Sequence, residues 1–430
     1  MKNKSTCFFC LILFVFLSLF IGCKEKSQDK RLIIWTDCPE FSQYIELFNK
    51  THKSNSAVLI YKENPALSLP PAEDEVVPDI VIGSWLRSEK TTKYFKQLDS
   101  LFDRKTISTT DFYPQLLDSG KVRKTQYLLP VSFNLPAIVY SSKNKDFVSE
   151  HYTLNLNQIR EIAASYNEQN KDGVYSKIGF SLLNNTDFLY LTTKLFNADI
   201  YEGKDQLEWN NENLQKDIDF LRDWIRTENT SPIVEEEFAY KYLFMPYYRQ
   251  VTSDRTLFAY STSDELFKIM KNQDLEIDYR WICQDDIIPI EDSYTMLGIY
   301  KKANNLVGAT EFITWFFQAA NQQQILERKI DFNLDTDLFG IAGGFSSIRD
   351  VNEHILPIYY NHLLSNLPPA QMLEVPQKLP IRWENMKTSI VDVYLRESVI
   401  AEDKATVSSI RELEKEWRKN GAQNTLSSFN

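Results

Sequence analysis

Apolar residues along this chain fall into two patterns: short dense runs, which mark buried strands, and longer stretches repeating every three to four residues, which mark amphipathic helices. Arg31 to Trp35 (RLIIW) is a run of the first kind, and Phe41, Tyr44, Ile45 and Phe48 then repeat at helical spacing, predicting a strand followed by a helix over 39–50. Ala57 to Tyr61 and Asp79 to Ile82 read as two more strands, the second bounded by Pro78 and Gly83. Strand, helix, strand and strand in that order predict an α/β lobe with a largely parallel sheet.

Gln126 to Tyr140 (QYLLPVSFNLPAIVY) breaks the rhythm with apolar segments around Pro130 and Pro136, and reads as a crossing between lobes. Beyond it the pattern predicts helices near 157–167 and 187–196, a strand near 177–180, and an amphipathic helix carrying Leu214, Ile218, Leu221 and Ile225. Arg255 to Tyr260 reads as a strand running into Ser261-Thr262-Ser263-Asp264, short polar side chains suited to capping a helix over 265–270. Arg280 to Ile290 and Thr295 to Tyr300 are strand-like, and Ala309 to Leu326 reads as one long helix. From Phe345 onward the pattern is mostly helical, ending in a charged helix over 405–420 that would dock through Ile410, Leu413 and Trp417.

The N-terminus departs from this pattern. Lys2 and Lys4 precede an apolar run from Cys7 to Ile21, closed by Gly22-Cys23 and the charged Lys24-Glu25-Lys26. That is the grammar of a secretory signal, and the run is shorter than the roughly 20 residues of a bilayer span. Leu19-Phe20-Ile21-Gly22-Cys23 resembles a bacterial lipobox, with Phe20 where leucine is usual. The expectation is cleavage after residue 22, a lipid on Cys23, and a tether over 23–30. The product would face the periplasm or exterior from a bacterial envelope membrane; a plain signal peptide is the alternative.

Losing Lys2 and Lys4 with the leader takes the formal charge from −11 to −13. No basic stripe offsets it, so nucleic acid is a poor partner. The 12 glycines never form the loops that close on a dinucleotide or triphosphate, so no nucleotide cofactor is expected. Cys38 and Cys283 give neither zinc spacing nor a disulfide framework and read as free thiols; no metal site is expected. The four histidines form no catalytic motif. Adjacent carboxylates such as Asp285-Asp286 and Glu291-Asp292 could supply the acid/base pair of a glycoside hydrolase, but read more simply as solvated charges.

Four stretches, in order, resemble the extracellular solute-binding proteins (family 1) of ABC importers, the group that includes sugar-binding lipoproteins: RLIIWTDCPEFSQYIELFNK, VVPDIVIGSWL, YLLPVSFNLPAIVYSSK and IIPIEDSYTMLGIYKKANNLVGATEFITWFFQAANQQQIL. The resemblance implies a two-lobe α/β fold of the periplasmic-binding-protein kind (type II), its lobes joined by crossing hinge segments. One lobe would comprise 31–132 and 289–342, the other 133–288 and 343–430. It also implies a small-molecule solute, a carbohydrate, bound between the lobes, an ABC permease as membrane partner, and no cofactor or catalysis. A sensory lipoprotein signalling through the same cleft is the alternative.

Ligand contacts are then expected where strands end at the cleft. Trp35 and Asp37 close the first strand, a flat indole and a hydroxyl-accepting carboxylate, though core packing and helix capping explain them equally well. Trp85 follows Gly83 and Ser84. Phe133 and Asn134 lie in the crossover, where Asn134 could hold either ligand or hinge backbone. Tyr260 and Thr262 end a strand of the second lobe. Phe345 follows the Gly343-Gly344 pair, read as a flexible return to that lobe, and would wall the cleft. Trp281, Tyr247, Tyr248 and Trp383 rank lower, since large aromatics are more often core.

Overall fold

The computed structural model describes residues 31–171, 173–272, 275–331 and 338–427. The leader, Cys23 and the tether lie outside the described residues.

Two sheets organise the chain. The first has six strands in the order Phe345–Ser346, Leu129–Phe133, Thr295–Ile299, Ile80–Gly83, Leu32–Thr36 and Ala57–Tyr61. Leu32–Thr36 pairs parallel with Ala57–Tyr61 on one side and with Ile80–Gly83 on the other, as the strand–helix–strand pattern predicts. The Phe41–Thr51 helix covers this region with Phe41, Tyr44, Ile45 and Phe48, all buried. The second sheet runs Phe258–Thr262, Pro136–Ser141, Ile277–Cys283, Thr153–Asn155. No helix among the described residues is long and apolar enough to cross a membrane. Cys38 and Cys283 are free thiols.

Among the described residues, three passages join the sheets. The first is short: Leu129–Phe133 belongs to one sheet and Pro136–Ser141 to the other, with Asn134 and Leu135 between them. Its prolines sit where they remove no ladder bond: Pro130 at a register shift against Thr295 and Met296, Pro136 as the first residue of its strand. The second passage runs from Ile288–Pro289 to Thr295–Ile299. The third begins later than the sequence suggests. Phe345 and Ser346 still pair with Phe133 and Ser132, so the chain has not left the first sheet at residue 343. It reaches the second sheet by His362 and Asn366, whose carbonyls accept from Tyr279 Oη and Trp281 Nε1. Gly344 is there for close approach rather than flexibility, because a Cβ on it would meet the Phe133 carbonyl oxygen at 2.6 Å.

The helix expected over 309–326 is two, Leu306–Phe316 and Ala319–Asp331. The break is satisfied locally: Asn321 Nδ2 donates to the Trp315 carbonyl at 2.7 Å and Gln322 Nε2 to that of Phe316 at 3.0 Å. Past Phe345 the chain is less helical than expected, opening with a strand and continuing in short helical turns. The terminal helix starts at Ile410, which is buried, while Leu413 and Trp417 pack at the edge of the core.

In the second lobe, Thr186–Leu195, Asn211–Thr227 and Asp392–Ile400 pack on one another, and Arg222 Nη1 donates to the carbonyls of Ser398 and Ala401 at the last helix's end. Asp217 points into this interface, 0% exposed, with no hydrogen bond of good geometry on either carboxylate oxygen. Burial pushes its carboxyl up to about 8. Since the folded-state value is the raised one, the stability it allows is present at acid pH and is lost as pH climbs toward 8. Asp217→Asn is expected to raise the calorimetric melting temperature at pH 8.5 by several degrees, and much less at pH 5. The rise from the ordinary 3.8 to about 8 sets an upper bound of about 6 kcal/mol at the alkaline end.

Candidate functional site

The turn after Ile80–Gly83 is built around Asp37. Ser84 N–H donates to Asp37 Oδ2 at 3.2 Å, and a Cβ at Gly83 would stand 2.9 Å from the same oxygen. The glycine therefore lets the carboxylate into the turn. Ser84 Oγ donates to the Ser293 carbonyl at 2.8 Å, tying the turn to the second passage. Trp85 follows in the left-handed region, φ 63°, a strained conformation for a bulky residue. That strain directs the indole at a cavity of about 240 Å³, which it lines while remaining 9% exposed.

Across the cavity stand Trp383 and Tyr190 from the second lobe, ring centroids 5.8 Å apart, with Tyr260 beside them. Asp292 holds this wall: Trp383 Nε1 and Tyr190 Oη both donate to its Oδ2 at 2.8 Å, and Lys194 Nζ lies 2.6 Å from its Oδ1. Its neighbour Glu291 accepts from Tyr260 Oη at 3.1 Å. These two residues are thus the foot of the cleft, contrary to the reading of solvated charges. Burial pushes the Glu291 carboxyl up to about 7, with Lys194 opposing and Asp292 adding to the shift. Asp37 is pushed up to about 6, by burial first, against the Ser84 N–H; the charge of Glu384 in the second lobe raises it further. Glu384 also lines an outer groove of about 1200 Å³, between Glu63 and Asn64 on one side and Trp417 on the other.

Of the expected contacts, the cavity brings together Trp85 and Tyr260, with Asp37 behind the turn. Trp35 lies inside the first lobe, 1% exposed, under Lys62 Nζ at 4.3 Å. Phe133 and Phe345 stack on each other in the core, centroids 5.6 Å apart. Asn134 is occupied by the hinge: its Nδ2 donates to the Gly343 carbonyl at 2.9 Å, and its Oδ1 accepts from Ser263 Oγ at 2.6 Å. Thr262 is half-buried opposite Pro136 at the strand end and does not line the cavity. Trp383, ranked low from sequence, lines the cavity although it is as buried as Trp281, which does not.

Asp292→Ala removes the acceptor of two buried aromatics and the partner of Lys194, so it is expected to lower unfolding free energy in urea by about 3 kcal/mol.

A family model described as bacterial extracellular solute-binding protein matches residues 39–323. No curated protein sequence matches. Among solved structures, the sugar-binding protein MalE from Xanthomonas citri shares the fold with a TM-score of 0.69 at 12% identity, covering 93% of this chain and 99% of that one. The ABC substrate-binding protein Lmo0181 from Listeria monocytogenes, in complex with cycloalternan, superposes with a TM-score of 0.61 at 11% identity over 92% and 98% of the two chains. The cyclic alpha-maltosyl-1,6-maltose binding protein from Arthrobacter globiformis gives 0.60 at 12% identity over 90% and 97%.

Proposed function

Because the chain belongs to the bacterial extracellular solute-binding protein family, we propose that it is the lipid-anchored receptor of an ABC importer and binds a sugar or oligosaccharide between its lobes without changing it. The observation that carries the carbohydrate reading is the aromatic lining of one cavity, Trp85 on one side and Tyr190, Tyr260 and the buried edge of Trp383 on the other. Flat aromatic faces suit the apolar faces of pyranose rings, and the carboxylates between them suit hydroxyl donors. The outer groove, which shares Glu384 with the cavity in its lining, has the volume for more than one ring. Fold neighbours whose names refer to maltose-type sugars and cycloalternan are in keeping with this.

Lobes joined by short passages close when a ligand contacts both, and the closed form is the state for a permease to engage. The lipobox at Cys23 supplies the anchor in this reading. Nothing in the cleft calls for a catalytic role: Asp292 already accepts two hydrogen bonds and an ion pair.

A thermal-shift screen of saccharides against the chain lacking residues 1–22 tests this. A true ligand at 100 times its Kd adds about 2.7 kcal/mol of stability. Trp85→Ala is expected to weaken that ligand about tenfold or more without unfolding the chain, although removing a buried indole lowers the unliganded melting temperature. A flat response across mono- and oligosaccharides would contradict the reading. To test the anchor, Cys23→Ala should release the protein from membranes into the soluble fraction.

A further inference from the structure

We propose that the solute taken by this cleft carries a protonated amine, as an amino sugar or a polyamine does; the inference rests on the solute-binding reading above and names the ligand's charge. The aromatic cavity between the lobes is the site, and the balance of charge around it decides what suits it. Asp187, Glu291, Asp292 and Glu384 line the cavity, against Lys194 and Lys387. Both lysines are already engaged. Lys194 lies 2.6 Å from Asp292, and Lys387 is shared between Asp187 at 2.7 Å and Asp392 at 3.1 Å.

Glu291 and Glu384, with Asp37 behind the Gly83 turn, are left without an ion pair among the described residues. Glu291 spends one oxygen on Tyr260 Oη. Its other oxygen accepts no hydrogen bond from the described residues, although the side chain lines the cavity. The outer groove repeats the imbalance: Glu63, Glu384 and Glu416 line it, with Arg382 as the one cation of its lining.

Two of these acids come from opposite lobes. Asp37 belongs to the first and Glu384 to the second, and the charge of Glu384 adds to the rise of the Asp37 carboxyl. Closure on a neutral solute brings like charges closer, and excluding water from between them strengthens their repulsion. An ammonium in the cavity beside Glu291 and Glu384, which both line it, offsets that repulsion with charge-assisted hydrogen bonds, and the Trp85 indole on the same lining adds cation–π attraction. An organic cation suits this better than a metal ion. No group of three histidine, cysteine or carboxylate side chains among the described residues is placed to hold a metal.

The test is calorimetric titration of the chain lacking residues 1–22 with four probes: a glucosamine disaccharide, its N-acetylated counterpart, maltotriose and spermidine, each with the unmodified protein and with Glu384→Gln. At least one amine probe should bind about tenfold or more tighter than the neutral sugars, and weaken as salt rises from about 50 to about 300 mM. In Glu384→Gln the ratio of amine to neutral affinity should fall by about tenfold. Tight binding of the disaccharide assigns an amino sugar. Spermidine alone binding supports the amine and removes the sugar from the function proposed above. Neutral sugars binding as tightly as the amines, or an affinity ratio untouched in Glu384→Gln, overturns the amine and leaves solute binding standing. Silence from all four probes contradicts both.

Discussion

The amide of Asn134 fixes the geometry on which the cleft depends. It stands in the two-residue link between the sheets, donates to the Gly343 carbonyl, accepts from Ser263 Oγ, and through its own carbonyl accepts from Glu291 N–H at 3.0 Å. Ser263 returns the contact, taking Leu135 N–H on its Oγ and donating its own N–H to the Leu135 carbonyl. One residue therefore joins the first passage to the second through its backbone carbonyl, and to the turn before Phe345 and the start of a second-lobe helix through its side chain. Buried amides in such networks are costly to leave unpaired, and that cost keeps the passages in register.

Because the second passage is held there, Glu291 and Asp292 emerge at the foot of the cleft instead of in solvent. Asp292 then gathers Trp383, Tyr190 and Lys194, so the aromatic wall is set before any ligand arrives. Asp37 does the corresponding work on the other lobe, holding the turn that aims Trp85. Both halves use a carboxylate to orient an indole. The raised carboxyls of Asp37 and Glu291 are what this arrangement costs: burial disfavours their charged forms and leaves both readier to take a proton or a cationic partner near neutral pH.

Much of the fold was legible in the sequence because its signals are local. RLIIW, AVLIY and DIVI are strands for reasons contained within a few residues, and the helical repeat of Phe41, Tyr44, Ile45 and Phe48 is buried as its spacing implies. What failed depended on contacts distant in sequence. Asn321 and Gln322 reaching back to helix-end carbonyls split the helix expected over 309–326, and apolar periodicity carries no trace of that. Gly343-Gly344 looked like a flexible return and is a close strand contact, because what matters is the Phe133 backbone some 210 residues earlier. Strand ends were sound guides to the cleft edge but not to side-chain direction. Trp85 follows a left-handed turn into the cavity, whereas Trp35, on a strand paired on both sides, turns into the core. Trp383 was missed because nothing local distinguishes it from a core tryptophan; its partner is Asp292, 91 residues away.

The central claim is that a solute sits between Trp85 and Trp383 and draws the lobes together. A crystal structure of the protein saturated with its tightest small-molecule ligand tests it most directly. The account predicts ligand density in contact with both indoles and with Glu384, in a form more closed than the unliganded one. Density bound elsewhere, with the space between the two tryptophans empty and the lobes unmoved, would contradict it.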